Sequence, residues 1–518
     1  MNLLSEIFLL KKLLSRRLLI ILIAIFSLPA IILLLSSLRW HYLVDSPIFQ
    51  YIARKILDGF VPYRDIFDMN MPGIYWIHML TLIIFGKSNL GFRIIDLFFL
   101  LITLFSGGKI LKSFGIISIA IFIVTFAGIH LSGGEVAMGE RDFFMTACLS
   151  VSVYLYLKAF DKLSPLNFFL SGLFLGYATC IKPTCILWLC ICCFMLFFAT
   201  SLNKKIKTSG LVYIISGYVV FPSLFLLWLG YKGGLSAFVD MSIHYLPIYN
   251  QGAKNSIFTL ISTIWQTPVG SLLAFSVISI PFLDQMIHDQ SNKRIIILIV
   301  SGILFSILHY FIQGTNFYYH LYPLYFFTSL YFSIIVYYLF KSEDRRIKAM
   351  AFLLTISWMC ILNLYIIPTI FKKPNLINQY DRQVAEQPAL IDEIVSILHR
   401  DSIQQHEKVQ VFDMVGGGCN VLLDLNADTP TRFLLELHFT EMGWKGPFPP
   451  YLQRLWDEFI FGLYAHKPKY IVLFKSSYFY SGNASNIVES IELKHFIHEY
   501  YTPLSEAEKY IIYKINDY

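Results

Sequence analysis

From Leu18 to Ile367 the chain alternates long apolar runs with short polar loops. The runs near 18–38, 91–111, 114–131, 143–160, 166–182, 184–200, 210–230, 267–287, 295–312, 321–340 and 349–367 are each of membrane-spanning length. The pattern predicts a polytopic α-helical membrane protein of about eleven transmembrane helices. One apolar piece, Ile74 to Phe85, is too short to cross and is expected to be interfacial or re-entrant. From Lys372 onward the runs shorten and charge rises. There EQPALIDEIVSILHRD reads as an amphipathic helix, KVQVFD and YIVLF as short strands, and GGGCN, NADTP and KGPFPP as turns. The predicted division is a transmembrane domain over 1–371, with a first outer loop at 39–90, and a small soluble α/β domain over 372–518.

Composition sharpens this picture: 56% of the 518 residues are hydrophobic and only 14% charged. From Lys372 on there are 14 Lys and Arg against 19 Asp and Glu, leaving 27 against 15 for the rest. The formal charge of +7 is therefore a basic membrane part joined to an acidic tail, which argues against nucleic acid as a partner. Every second predicted loop is basic: Lys109 and Lys112, Lys158 and Lys162, Lys204 to Lys207, Lys293 and Arg294, and Lys341 to Lys348. With Lys11, Lys12, Arg16 and Arg17 ahead of the first run, this predicts a cytoplasmic N-terminus on an uncleaved anchor and a tail outside the cytoplasm. Seven of the eight cysteines lie in apolar runs and read as small buried hydrophobes; only Cys419 falls in the tail.

The predicted outer segments hold the candidate chemistry. The first, DSPIFQYIARKILDGFVPYRDIFDMNMPG from Asp45 to Gly73, opens as an amphipathic surface helix and continues through turns at Gly59, Pro62 and Pro72. Asp45 reads either as a helix-start carboxylate or as a general base facing a lipid-borne head group. Arg64, Asp65 and Asp68 read either as a salt-bridge set within the loop or as ligand contacts. The next segment brings Glu140, Arg141 and Asp142 to the mouth of a span, as interfacial anchors or, for Asp142, as a costly carboxylate wanting a partner. Lys182, in CIKPT, snorkels or supplies a point charge to a phosphate. His320, in YYHLYP, is an aromatic-belt residue or a site residue. No Walker loop, GxGxxG, HExxH or usable GxSxG occurs, which excludes nucleotide-driven, zincin and serine-hydrolase chemistry. The sequon Asn483-Ala484-Ser485 is too common a pattern to carry weight.

Taken in order, Asp45 after the first span, LDGFVPYRDIFDMNMPGIYW, FGKSNLGFRIID with Arg93, Asp142 in ERDFF, Lys182 in IKPT and His320 in HLYP resemble the GT-C membrane glycosyltransferases. The branch is that of the lipid A aminoarabinose transferase and the protein O-mannosyltransferases. The resemblance covers the membrane half to about residue 340 and implies the GT-C architecture. It implies transfer of a sugar from a polyprenyl-phosphate donor to a lipid, polysaccharide or protein acceptor at the outer face of a bacterial inner membrane. Asp45 then maps onto the catalytic carboxylate, and Asp142, with Glu140 as rival, onto a second acidic residue. Relatives carry a lysine just before a Pro-Pro-Gly-like turn in the first loop. Here the turn is Asn70-Met71-Pro72-Gly73, so the phosphate cation falls to Arg64, Lys182 or Arg141, with Asp68 and Asn70 as further substrate contacts. No cofactor is demanded; a divalent ion, if one is used, would sit between Asp45 and Asp142. A flippase for lipid-linked sugars and a polysaccharide polymerase or ligase are the competing functions.

Overall fold

The computed structural model describes residues 16–199, 203–282, 286, 288–373, 382–435, 438–439, 449–475 and 490–516. Its helices are α1 (Arg16–Ser36), α2 (Asp45–Leu57), α3 (Pro72–Phe85), α4 (Asn89–Ile110), α5 (Gly115–Ser132), α6 (Arg141–Lys162), α7 (Pro165–Ile181), α8 (Ile186–Phe197) and α9 (Lys204–Lys232). They continue with α10 (Ile257–Gln266), α11 (Pro268–Val277), α12 (Lys293–Gln313), α13 (Tyr322–Lys341), α14 (Arg345–Ile370), α15 (Arg382–Arg400), α16 (Cys419–Leu425), α17 (Pro450–His466) and α18 (Ile491–Tyr500). Short helical turns lie among them.

Among the described residues, eight helices are long and apolar enough to span a bilayer, or nine if the bent pair α10–α11 counts as one. This lowers the expected count of about eleven. The difference has local causes. Pro183 follows Lys182 and separates α7 from the turn leading to α8, leaving two short apolar helices. Pro268 starts α11 directly after Thr267, and the chain bends there by 86°. The chain is a multi-pass helical membrane protein with a mixed sheet near its C-terminus.

Packing divides the chain into two units. The first comprises residues 1–40, 93–223 and 255–379. Its centre is α13, whose span is 94% buried, followed by that of α6 at 83%; the first span, at 22%, has most of its surface left for lipid. Polar pins tie spans together without needing water: Trp358 Nε1 donates to Thr125 Oγ1 at 2.8 Å, and Asn363 to the Phe26 carbonyl at 3.1 Å. Helices α7 and α9 meet backbone to backbone. A Cβ on Gly172 or Gly176 would lie 2.0 or 2.1 Å from the carbonyl oxygens of Ile214 and Tyr218, so only glycine fits this crossing.

The second unit comprises residues 41–92, 224–254 and 380–518. Here α2 packs on α3 and α16. A four-stranded sheet runs in the order β1 (Val409–Phe412), β2 (Tyr470–Phe474), β4 (Tyr510–Ile515), β3 (Tyr501–Glu506). β1 and β2 are parallel, Val411 facing Val472, and both are buried throughout, as strands covered on two faces must be. β4 runs antiparallel to β2 and β3, and β3 carries Pro503 at a bulge on the sheet edge, where a missing N–H costs no ladder bond. Arg54 on α2 binds the 426–428 turn, donating to Asn426 Oδ1 at 2.8 Å and to the Ala427 carbonyl at 2.6 Å, while Lys55 reaches Asp428 at 2.9 Å. The anticipated tail helix and both anticipated strands are present. The hairpin β3–β4 was not anticipated, and the sequon at Asn483 lies outside the described residues.

Candidate functional site

In the first unit, Asp142 is the hub of a buried polar cluster. It occupies the first turn of α6, where the helix dipole favours a carboxylate. Its side chain is wholly buried and accepts from three nitrogens: His309 Nε2 at 2.9 Å, His320 Nδ1 at 3.2 Å and Lys182 Nζ at 3.3 Å. Each partner comes from a helix end. His309 lies near the end of α12, His320 in the 3-10 turn before α13, and Lys182 in the extended break between α7 and Pro183. His309 Nδ1 is paired in turn with Thr184 Oγ1 at 2.7 Å, and Lys182 Nζ with Gln313 Oε1 at 3.2 Å. A buried carboxylate surrounded this way is held in place by its donors and orients its cation. Glu140 is buried as the N-cap of α6; Arg141, half-buried, donates to Tyr319 Oη at 3.3 Å with its guanidinium 5.9 Å from that ring.

Close along the chain is a second buried set. Arg93 and Asp96, one turn apart on α4, form an ion pair. Arg93 also donates to Ser37 Oγ and lies 4.6 Å from the Trp40 ring. Asp96 accepts from the Gly139 backbone N–H at 2.9 Å and pairs with His130 Nε2 at 3.0 Å; His130 Nδ1 pairs with Tyr322 Oη at 3.0 Å.

In the second unit, Asp45 is half-buried as the first residue of α2. The preceding Val44 has φ 63°, a conformation that a β-branched side chain adopts only under strain, and such strain gathers where a neighbouring side chain must be aimed. Asp68 and Asn70 are buried and form the core of the loop: Asn70 Nδ2 donates to Asp68 at 3.0 Å, Tyr75 Oη donates to the same carboxylate, and Tyr63 Oη donates to the Asn70 carbonyl at 2.8 Å. Arg64 is exposed, paired in bidentate fashion with Asp65 at 2.7 and 2.8 Å and donating to the Lys232 carbonyl at 2.9 Å.

Of the anticipated residues, the structure therefore joins Asp142, Lys182 and His320 in one cluster and Asp68 with Asn70 in another. His309, Asp96 and His130 were missed. All three are ionisable side chains inside apolar helices, which is itself the signal that marks them.

The fold as a whole is matched by known structures. ArnT from Cupriavidus metallidurans bound to undecaprenyl phosphate superposes with a TM-score of 0.58 at 10% identity, covering 95% of this chain and 97% of that one. An archaeal oligosaccharyltransferase from Archaeoglobus fulgidus, solved with an inhibitory peptide and a dolichol-phosphate, gives 0.53 at 10% identity over 96% and 74%. The fold is that of the GT-C glycosyltransferases. Residues 70–228 match the family model of the dolichyl-phosphate-mannose-protein mannosyltransferases, a region that includes Asp142 and Lys182. No curated protein matches the chain in sequence.

Proposed function

We propose that this chain transfers a sugar from a polyprenyl-phosphate carrier to a lipid, polysaccharide or protein acceptor at the outer face of the membrane, with inversion. The observation that carries the reading is Lys182. It is buried, held by Asp142 and Gln313, and of its three N–H bonds two are spent on these partners, leaving one for an anion. A lipid-linked sugar phosphate is such an anion and is already activated, which fits a chain without a nucleotide site.

In the reaction Asp45 takes the proton from the acceptor hydroxyl or amine, the acceptor attacks the anomeric carbon, and the bond from that carbon to the phosphate oxygen breaks. The electron pair stays on the phosphate, where Lys182 and Arg141 neutralise it. Asp142 serves by holding Lys182. Its donor set, three nitrogens already aimed at the carboxylate, fits an organic cation and not a bridging divalent ion. Glu140 stands at the N-cap position of α6, and Asp68, Asn70 and Arg64 hold the first loop in shape as further contacts for the substrate. The N-terminus then lies on the cytoplasmic side of the plasma membrane and the region after 371 forms the extracytoplasmic domain.

The test is transfer by membranes carrying wild type or Asp45→Asn, supplied with polyprenyl-phosphate sugars and read by mass spectrometry of extracted lipids and polysaccharides. A mass increment of one sugar, lost in the variant at equal protein level, is expected. A long added chain would favour a polymerase or ligase. No increment, with labelled carrier moving across the bilayer, would favour a flippase.

A further inference from the structure

The Asp142 cluster joins side chains from several helix ends, and the second buried set braces two of the segments that carry them. Asp96 accepts the Gly139 N–H at 2.9 Å, three residues ahead of Asp142, and Gly139 has φ 76°, so the chain turns there in a conformation that this bond locks. His130, paired with Asp96 at 3.0 Å, stacks on the ring of Phe143 at 4.1 Å, immediately after Asp142. Through its other nitrogen His130 meets Tyr322 Oη at 3.0 Å, two residues beyond His320, and Phe143 also packs on the Tyr322 ring at 5.3 Å. One carboxylate thus reaches the segments of both Asp142 and His320 through short, rigid stretches. All of these groups are buried, so each lost partner leaves an unsatisfied polar atom.

We infer that Asp96 is a positioning residue for the Asp142–Lys182–His320 cluster, acting through the Gly139 N–H on one side and through His130 and Tyr322 on the other, with Arg93 as its counter-ion. The inference rests on the transferase reading for its kinetic consequence, but not for its structural one. A bare structural ion pair would alter only how much protein folds. A positioning group alters what the folded protein does, because misplacing a reacting group by about 1 Å costs on the order of 100-fold in rate.

The experiment uses full-length protein in detergent, with two readouts: hydrogen exchange of the peptide spanning 138–146, and transfer kinetics at varied polyprenyl-phosphate sugar. Asp96→Ala is expected to speed exchange at 138–146 at least ten-fold while peptides within α14 stay protected. It should lower kcat at least thirty-fold and raise donor KM, because Lys182, which meets the donor phosphate, shifts with the cluster. Asp96→Asn, which keeps an oxygen for the Gly139 N–H, should restore most of the protection and at least ten-fold of the rate. Where Asp96→Ala yields no folded protein, Asp96→Asn and Tyr322→Phe carry the same comparison, Tyr322→Phe giving a three- to ten-fold lower kcat with its ring packing kept. Folded variants with unchanged exchange at 138–146 and unchanged kcat would overturn the inference. Faster exchange at 138–146 alongside a wild type that transfers no sugar from any donor would uphold the positioning of Asp142 and overturn the transferase reading instead.

Discussion

Two carboxylates in this chain have opposite surroundings. Asp142 is sealed among three nitrogen donors, whereas Asp45 stands half-buried at a helix start behind a strained Val44. In the proposed reaction Asp142 holds Lys182 and Asp45 is the base. The roles separate in kinetics. Asp45→Asn should lower kcat by about 100- to 10,000-fold with donor KM little changed. Asp142→Asn should act through Lys182 and raise donor KM as well, both read from initial rates against donor concentration. Lys182→Met leaves Asp142 with two imidazoles, at a stability cost of about 3–5 kcal/mol, which thermal melts in detergent would show as a lower Tm. Asp142, Lys182 and His320 are legible in the sequence because ionisable groups at span ends are conspicuous. His309 is as conspicuous by the same rule, sitting inside the run at 295–312. Its pairing with Asp142 is not legible, since a sequence separation of 167 places no constraint on contact.

At the level of helices and strands, periodicity and length carry most of the reading. Among the described residues, eight of the expected runs are helices of spanning length, and the tail helix and two strands fall where alternation and apolar runs put them. What length cannot show is where a proline cuts an apolar run: Lys182-Pro183 and Thr267-Pro268 each interrupt one, and the first cut is what puts Lys182 in a break between helices. Close helix crossings are likewise silent in hydropathy. Gly172 and Gly176 let α7 touch α9 through the backbone, so Gly176→Val, whose Cβ meets Tyr218 O, should cost about 1–3 kcal/mol or more. Gly108→Ala, whose added Cβ has ordinary contact with Ile119, should be nearly neutral or stabilising; paired melts of the two variants check this.

For the molecule as a whole, the second unit is assembled from three separated stretches of sequence, a grouping that hydropathy alone does not reveal. Its aromatic core encloses His438, packed on Phe67 at 4.8 Å and Tyr245 at 5.5 Å, and burial, with Arg432 nearby, pushes this imidazole down to about 3. The unfolded chain takes up that proton near pH 6.5. The folded form therefore binds fewer protons between about 3 and 6.5, and stability that is full above pH 6.5 is lost on acidification by up to about 1.4 kcal/mol per pH unit. His438→Phe should flatten the fall of Tm between pH 7 and 4.5. Ending the chain at residue 379 removes the partners of Arg54 and Lys55; trypsin should then cut after these residues, which the intact protein protects. The separation also has a meaning in time. Arg54 and Asn426 are 372 residues apart, so at about 5–20 residues per second the first loop waits roughly 20 to 70 s on the ribosome for its partners. The segment bearing Asp45 therefore completes its packing only once the tail has been made.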